Sequence, residues 1–406
     1  MDAALTRKLD KMIASELAGI VALRHDLHAH PQVSYQEKYA ASRVQEALTR
    51  AGVPFQAGVA KTGVVGWIMP ETAARRLASA VPLRADMDAL PIQEETRLPY
   101  ASQFPGLMHA CGHDGNTAML VGAATVLSRL RDRLPRPVKL LFQPAEEGGA
   151  GAAAMIRQGA LDKTIGGVKA ALAFALHAKG DIPLGTFGTR AGPFGARADQ
   201  IQITITGRGC HAARPEFGAD PIAAASAVVM NLHTVVSRNV PAVESAVVTI
   251  GQIHGGSKDN IIPEKVVMGG TVRTFKDSVT RTVHRRIREV VERTAAAMGC
   301  QGEFRLLEGY PVLANDPALT GLAMAVARQV VGDGNVIELP LSMGAEDFSF
   351  IAQKMPSCML DIGMCPPGRK SYPGVHTPTF DFRDEALPLG IKLLCLLALG
   401  PEEAAR

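Results

Sequence analysis

Cys111 and His113 stand two residues apart in Met108-His109-Ala110-Cys111-Gly112-His113-Asp114, so one turn of chain can offer a thiolate and an imidazole to a single divalent cation. Glu146 and Glu147 follow the apolar run Val138-Lys139-Leu140-Leu141-Phe142. One carboxylate of such a pair can bind the cation, leaving its neighbour to take a proton from water. A divalent ion makes that division useful, because it acidifies the water it holds and polarises a substrate carbonyl. His177 and His376, both in turn-like settings, are candidates to complete the shell. This is the equipment of a metal-dependent hydrolase.

Taken singly, these residues have blander explanations. A lone cysteine is usually a small buried hydrophobe, and adjacent acids are usually solvated. Their placement argues otherwise. The Glu pair follows an apolar strand, His177 is expected to end a strand over 170–176, and Asp86 and Asp88 close another in Arg84-Ala85-Asp86-Met87-Asp88. Carboxyl ends of strands are where α/β sheets place their sites. Asp114 is expected to orient His113 from behind.

A scaffold must hold these groups. Apolar spacing of three and four residues predicts two helices within 5–50, broken at His30-Pro31. Strands are predicted over 63–69, 81–86, 138–142 and 170–176, with helices over 117–133 and 148–159. Strands alternating with helices indicate an α/β domain. The pattern then changes to strict alternation in Gln200-Ile201-Gln202-Ile203-Thr204-Ile205-Thr206, the signature of a half-exposed antiparallel strand. A helix over 220–238, strands over 245–253 and 265–275, a helix over 278–298 and a strand over 302–307 complete a separate α+β unit. The α/β character returns after residue 308. The expected organisation is a mixed sheet flanked by helices, over 1–191 and 309–406, with a domain inserted at 192–308.

The composition narrows the function further. At 406 residues the chain is long enough for two cores. A net charge of +4, with its arginine clusters interrupted by apolar or acidic residues, gives no reason to expect a nucleic-acid partner. Apolar runs are about half the length that spans a bilayer, so no membrane association is expected. Six scattered cysteines without a CxxC suit a reducing compartment, and residues 1–20 do not read as a signal peptide, so a cytoplasmic location is expected. HExxH and GxSxG are absent, and the glycines after Glu147 lack dinucleotide-loop spacing. Gly251-Gln252-Ile253-His254-Gly255-Gly256-Ser257-Lys258 reverses the order a phosphate loop needs.

With these residues in hand, the chain resembles the M20 metallopeptidase family, and within it the amidohydrolase branch of hippurate, N-acyl-amino-acid and auxin-conjugate hydrolases. The resemblance is carried by Leu27-His28-Ala29-His30-Pro31, by 84–91, 108–120 and 142–148, by Asp259-Asn260-Ile261-Ile262-Pro263, by Gly344-Ala345-Glu346-Asp347-Phe348 and by Val375-His376-Thr377-Pro378. It implies that Cys111, His113, Glu147, His177 and His376 bind one or two divalent ions, zinc or manganese first, with cobalt or nickel as alternatives. It further implies that Glu146 is the general base, that Asp88 supports a ligand, and that His211 stabilises an oxyanion. Asn260 and Arg273 fall where relatives contact the substrate carboxylate. The inserted domain is implied to serve as lid and as the surface of a homodimer or higher homo-oligomer. The implied reaction is hydrolysis of a small N-acyl amino acid.

Two positions depart from the family pattern. Asn116 replaces the last histidine of the usual Gly-His-Asp-Gly-His run, and Cys210 stands beside His211 where glycine is common. Three other readings remain open: Cys111 as a nucleophile with His113 as its base, a metal-stabilised binding protein without turnover, and a dipeptidase or biosynthetic deacetylase.

Overall fold

The computed structural model describes residues 3–369 and 371–400, so the outermost ends of the expected first domain, 1–2 and 401–406, lie outside the described residues. Two compact units emerge. One comprises Met1–Phe194, Ala314–Pro340 and Asp347–Arg406, and the other Gly195–Leu313 and Leu341–Glu346. The inserted unit thus opens at 195 rather than 192 and closes at 313 rather than 308. It also reclaims 341–346, a segment with no periodic signal, through backbone contacts: Gly195 bridges Ser342, and Ala196 N donates to Gly344 O at 2.8 Å.

The larger unit is built on strands β1 (Phe55–Val59), β2 (Gly63–Ile68), β3 (Val81–Asp86), β4 (Val138–Gln143), β5 (Ala173–Pro183), β6 (Phe187–Thr189), β7 (Val336–Glu338) and β8 (Ser357–Cys365). They form one mixed sheet in the order β1-β2-β4-β3-β5-β8-β6-β7. β3, β4 and β8 are buried at every position, as runs without alternation should be when helices cover both faces. Beneath the site lies the helix His113–Ser128, which is almost wholly buried and packs on the helices Ala3–Ala29 and Leu387–Ala398.

The expected mixed α/β architecture is present, while several boundaries differ for physical reasons. The helix expected over 117–133 begins at His113, because Gly112 takes a left-handed cap (φ 82°) and turns the chain into the helix early. The helix expected over 148–159 contracts to Gly151–Arg157, since Gly148 (φ 91°) and Ala150 (φ 51°) are left-handed. The strand expected over 170–176 runs from Ala173 to Pro183, which puts His177 inside it rather than at its end. β1, a mostly exposed edge strand, gave no apolar pattern and was not expected.

Within the inserted unit, four antiparallel strands lie in the order Ala246–Gly255, Lys265–Thr274, Arg197–Thr206, Gln301–Tyr310. Ile201, Ile203 and Ile205 are buried there, against residues from the helices Pro221–Asn239 and Asp277–Ala297 such as Val228, Val283 and Ile287. Asp220 caps the first of these helices, accepting from Ile222 N at 2.8 Å and Ala223 N at 3.3 Å, and Pro221 fits its first turn. Among the described residues, no helix is long and apolar enough to cross a membrane.

Candidate metal centre

Parallel pairing of β3 with β4 and of β3 with β5 brings the chain exits of these strands to one edge of the sheet. Asp86 ends β3 opposite Gln143, the last residue of β4. Two residues after β3, Asp88 gathers the neighbouring loops. Its Oδ1 accepts from Glu146 N at 3.0 Å and its Oδ2 from Glu147 N at 2.9 Å, so one carboxylate grips the backbone of the acidic pair. Asp88 also accepts from Ser34 Oγ at 2.8 Å, and its own carbonyl accepts from His113 Nδ1 at 2.8 Å.

That last bond fixes the tautomer, because a carbonyl can only accept and Nδ1 must therefore carry the proton. His113 Nε2 is left buried without a hydrogen-bond partner, 3.7 Å from Asp86 Oδ2. His177 is arranged alike: Nδ1 donates to Ala178 O at 2.7 Å, and Nε2 lies 3.5 Å from Cys111 Sγ. Gly112 lets Cys111 and His113 come this close to β5, since a Cβ there would meet the Ala178 methyl at 2.9 Å. His376 occupies a left-handed turn (φ 64°), its N–H donating to Ala110 O at 2.7 Å and its Nε2 lying 2.9 Å from Glu147 Oε1. Gly180 admits that turn, for a Cβ on it would strike Pro373 O at 2.4 Å.

Three donor groups lie wholly within the larger unit, each with its ligand atoms within 4.8 Å of one another: Cys111, His113 and His177; Cys111, Glu147 and His376; and His113, Glu146 and Glu147. Cys111 belongs to two of them. The geometry therefore brings together all five expected ligands and the expected base. A buried, unpartnered imidazole nitrogen facing a thiol and carboxylates is what a divalent ion requires of its donors, so the residues fit the group. Burial pushes the Cys111 thiol well above its ordinary range, with His113 pulling it back. A thiol in that condition is a poor free nucleophile, whereas a coordinated cation deprotonates it outright. This weighs against the cysteine-nucleophile reading.

Two aspartates behind the centre, Asp86 and Asp88, are held ionised. Burial disfavours charge on Asp88, yet His113, the Glu147 N–H and Ser34 together hold its carboxyl below the usual range. Asp86 is likewise buried, and His113, Arg84 and Asn116 hold it well below the usual range. Asn116, the departure from the family pattern, donates from Nδ2 to Asp86 Oδ1 at 2.9 Å, so it serves as a neutral donor behind the centre. Asp114 does not orient His113 as expected. It turns away to His28 Nδ1 at 2.9 Å and Arg24 Nη1 at 3.5 Å, because the first helical turn points successive side chains in different directions.

His211, Asn260 and Arg273 all lie in the inserted unit. His211 pairs with Ile261 across a short antiparallel ladder, and Ala212 N donates to Asn260 O at 3.0 Å. His211, Asn260 and Lys258 line a cavity of about 840 Å³ that Lys265 also borders. Arg273 is outside it: eight residues of strand place it about 26 Å from Lys265. Its Nη1 donates to Met343 O at 3.4 Å.

Some residues around the centre carried no signal that sequence reasoning could use. Asp347 accepts from Arg84 Nη2 at 3.0 Å, Gln143 Nε2 at 2.6 Å and Ala152 N at 2.9 Å, and its N–H points to Glu146 Oε1 at 3.4 Å. It was visible only as part of a motif to which no role was attached. Ser34 and Glu37, which brace the acidic pair from another loop, sit in a stretch that reads as an ordinary turn.

Residues 83–400 match the model of a family described as Peptidase family M20/M25/M40. The chain is 41% identical over 344 residues to an N-acetyl-L-cysteine deacetylase of Bacillus subtilis, covering 85% of this chain and 80% of that one. It is 37% identical over 383 residues to the IAA-amino acid hydrolase ILR1-like 4 of Arabidopsis thaliana, covering 93% and 84% respectively. Among solved structures it resembles the Bacillus subtilis YXEP protein, a dinuclear metal binding peptidase from the M20 family, at a TM-score of 0.79 and 33% identity, with 95% of this chain and 98% of that one covered.

Proposed function

The chain belongs to the M20/M25/M40 peptidase family of hydrolases, and from that premise we propose that it cleaves the amide bond of N-acyl amino acids to give a carboxylate and a free amino acid. The observation that carries this reading is the division of labour in the acidic pair. Glu147 lies 2.9 Å from His376 in a group with Cys111, while Glu146 is buried beside His113 and Glu147. A purely structural metal site has no use for the second carboxylate.

In the proposed reaction Cys111, His113, Glu147, His177 and His376 hold one or two divalent ions, with zinc or manganese preferred and cobalt or nickel as alternatives. When bound, the ion supplies Lewis acidity toward the substrate carbonyl and toward water. Glu146 takes the proton from the attacking water and later returns it to the departing amine nitrogen. Asp88 keeps Glu146 and Glu147 in register by holding both backbone N–H groups. His211 is assigned to the developing oxyanion and Asn260 to the carboxylate end of the substrate; Arg273, outside the cavity that these two line, would meet the same carboxylate only where a second copy of the chain supplies one side of the site.

The inserted unit is further proposed to join two copies. Among the described residues its edge strand Ala246–Gly255 is paired on one side only, and Val247 and Ile253 on that strand are exposed. Such edges are seldom left bare. A cytoplasmic location is proposed from the six unpaired cysteines.

A panel of acetyl-, benzoyl- and indoleacetyl-amino acids, with dipeptides alongside and zinc, manganese, cobalt or nickel added in turn, tests the reading. Release of free amino acid from an N-acyl substrate is the expected outcome. Turnover of dipeptides alone would move the assignment to a dipeptidase, and no turnover of any amide would overturn it.

A further inference from the structure

Glu37 immediately precedes the helix Lys38–Arg50, the position from which a side chain normally caps a helix, yet it makes no capping bond. Its carboxylate is instead fully buried and turned toward the loop that carries the acidic pair. Oε1 accepts from Tyr35 N and from Ala145 N, both at 2.8 Å, and Oε2 accepts from Thr62 Oγ1 at 2.5 Å. Three separate segments therefore meet on one acceptor-only group.

Two of its donors sit in unusual backbone. Tyr35 (φ 64°) and Ala145 (φ 54°) are both left-handed without being glycine, a conformation that persists only where surrounding contacts enforce it. Ala145 directly precedes Glu146. Its carbonyl accepts from Gly151 N at 3.1 Å, and a Cβ on Gly149 would lie 2.6 Å from the Ala145 methyl, so the turn is compressed on both sides. The same loop reaches the turn twice more: Ser34 Oγ lies 3.3 Å from Glu147 O, and Tyr35 Oη donates to Gly149 O at 2.6 Å.

We propose that Glu37 is a positioning residue for the acidic pair: by accepting from Ala145 N it holds the left-handed turn that aims Glu146 and Glu147 at their separate tasks. Asp88 grips the pair from the side of the sheet, and Glu37 sets the direction in which the chain enters it. What the turn needs from Glu37 is an acceptor at the right distance rather than its charge. Glutamine keeps Oε1 for both N–H groups and can donate to the Thr62 hydroxyl. Aspartate keeps the charge but falls one methylene short of Ala145.

This inference rests on the metal-hydrolase reading of Glu146 and Glu147, and its test separates the two. The full-length protein and its Glu37→Gln, Glu37→Asp and Glu37→Ala variants are titrated calorimetrically with zinc and with manganese, alongside circular dichroism and steady-state hydrolysis. Glu37→Gln is expected to stay within about threefold of the parent in both measurements. Glu37→Asp and Glu37→Ala are expected to bind the cation about 10–100-fold more weakly and to lose kcat rather than gain KM. The Gln and Asp variants decide the matter even if the Ala variant does not fold. Parental cation affinity and kcat in folded Glu37→Asp overturn the inference alone, as does a Glu37→Gln protein as impaired as Glu37→Asp. A parent protein that binds neither ion overturns the metal reading and this inference together.

Discussion

In the larger unit the buried side chains include Arg24, His28, Glu37, Arg84, Asp86, Asp88, Asp114 and Glu146, whereas in the inserted unit Asp199 is the one buried charged side chain among the described residues. Both units have apolar cores of ordinary character. They differ in what else they take out of water. An ion moved into a protein interior costs several kcal/mol unless partners compensate, so a concentration of buried ions needs a reason beyond stability. In the larger unit the ions are chained. Arg84 joins Asp86 at 2.7 Å and Asp347 at 3.0 Å, while Asp88 joins the backbone of Glu146 and Glu147. The chain ends on the proposed metal ligands. In the inserted unit the one buried carboxylate is a tie: Asp199 meets Arg197 at 2.6 Å, His284 at 3.1 Å and Gly309 N at 3.0 Å, linking strands to a helix. On the proposed function, buried charge in one unit serves chemistry, and in the other it serves packing.

That contrast can be broken most sharply at Glu146. Glu146→Gln removes the proposed base and none of the five proposed ligands, so kcat is expected to fall about 10²–10⁴-fold, with cation affinity by calorimetry close to the parent's. A variant that binds metal and keeps full activity would remove Glu146 from the chemistry. The matching change in the inserted unit is Ile203→Ala, at a fully buried position. It is expected to cost about 2–5 kcal/mol in urea unfolding while leaving cation affinity of the folded protein unchanged. If it weakened cation binding, the two units would not be separable in the way the contrast requires.

A smaller effect is expected at Asp88. Asp88→Asn retains one acceptor oxygen but offers an amide to N–H groups that need acceptors, and is expected to lower cation affinity or activity about 10–100-fold. Asp199→Asn should leave both measurements alone and reduce only stability.

The smallest and most diagnostic effect is the direction of the pH response. Burial opposes charge on His28, but Asp114 and Glu94 outweigh it and raise its pKa to about 9 from 6.5. Its contribution to stability is therefore complete below pH 6.5 and lost as pH rises through about 9. Burial also opposes charge on Asp199, but His284 and Arg197 lower its pKa to about 2 from 3.8. That contribution is present above pH 3.8 and lost as pH falls through about 2. Hydrogen exchange at stepped pH is expected to show the helix Ala3–Ala29 loosening on the alkaline side and the strand Arg197–Thr206 on the acid side. His28→Gln and Asp199→Asn should each abolish one response and spare the other.

The two units were also unequally legible in the sequence. The inserted unit announced itself through Ile201, Ile203 and Ile205 alternating with polar residues, since a sheet with one solvated face writes its period into the chain. In the larger unit β3 and β4 are buried on both faces, so Arg84 and Lys139 interrupt apolar runs without showing which way they point. The candidate ligands stood out because few other roles put Cys111, His113, Glu147, His177 and His376 in such company, and the fold brings them close together. Their supports did not stand out. Asp114 looked like the partner of His113 because it is adjacent in sequence, yet the partner is Asp88, which approaches from another strand exit. Glu37 is 108 residues from the Ala145 N–H it holds, and nothing local marks it. Sequence displays the groups that do chemistry by their type, whereas the groups that aim them are identified by through-space contacts that only the fold creates.

The central claim is that amide hydrolysis depends on a divalent ion held by the Cys111–His113 turn and the Glu147 carboxylate. The most direct test strips the protein with a chelator, measures residual metal, and follows amino acid release while zinc or manganese is returned stepwise. Hydrolysis is expected to vanish on stripping and to return in proportion to bound ion, saturating at one or two ions per chain, with Cys111→Ser needing far more metal to recover. Undiminished hydrolysis by the stripped protein would contradict the claim.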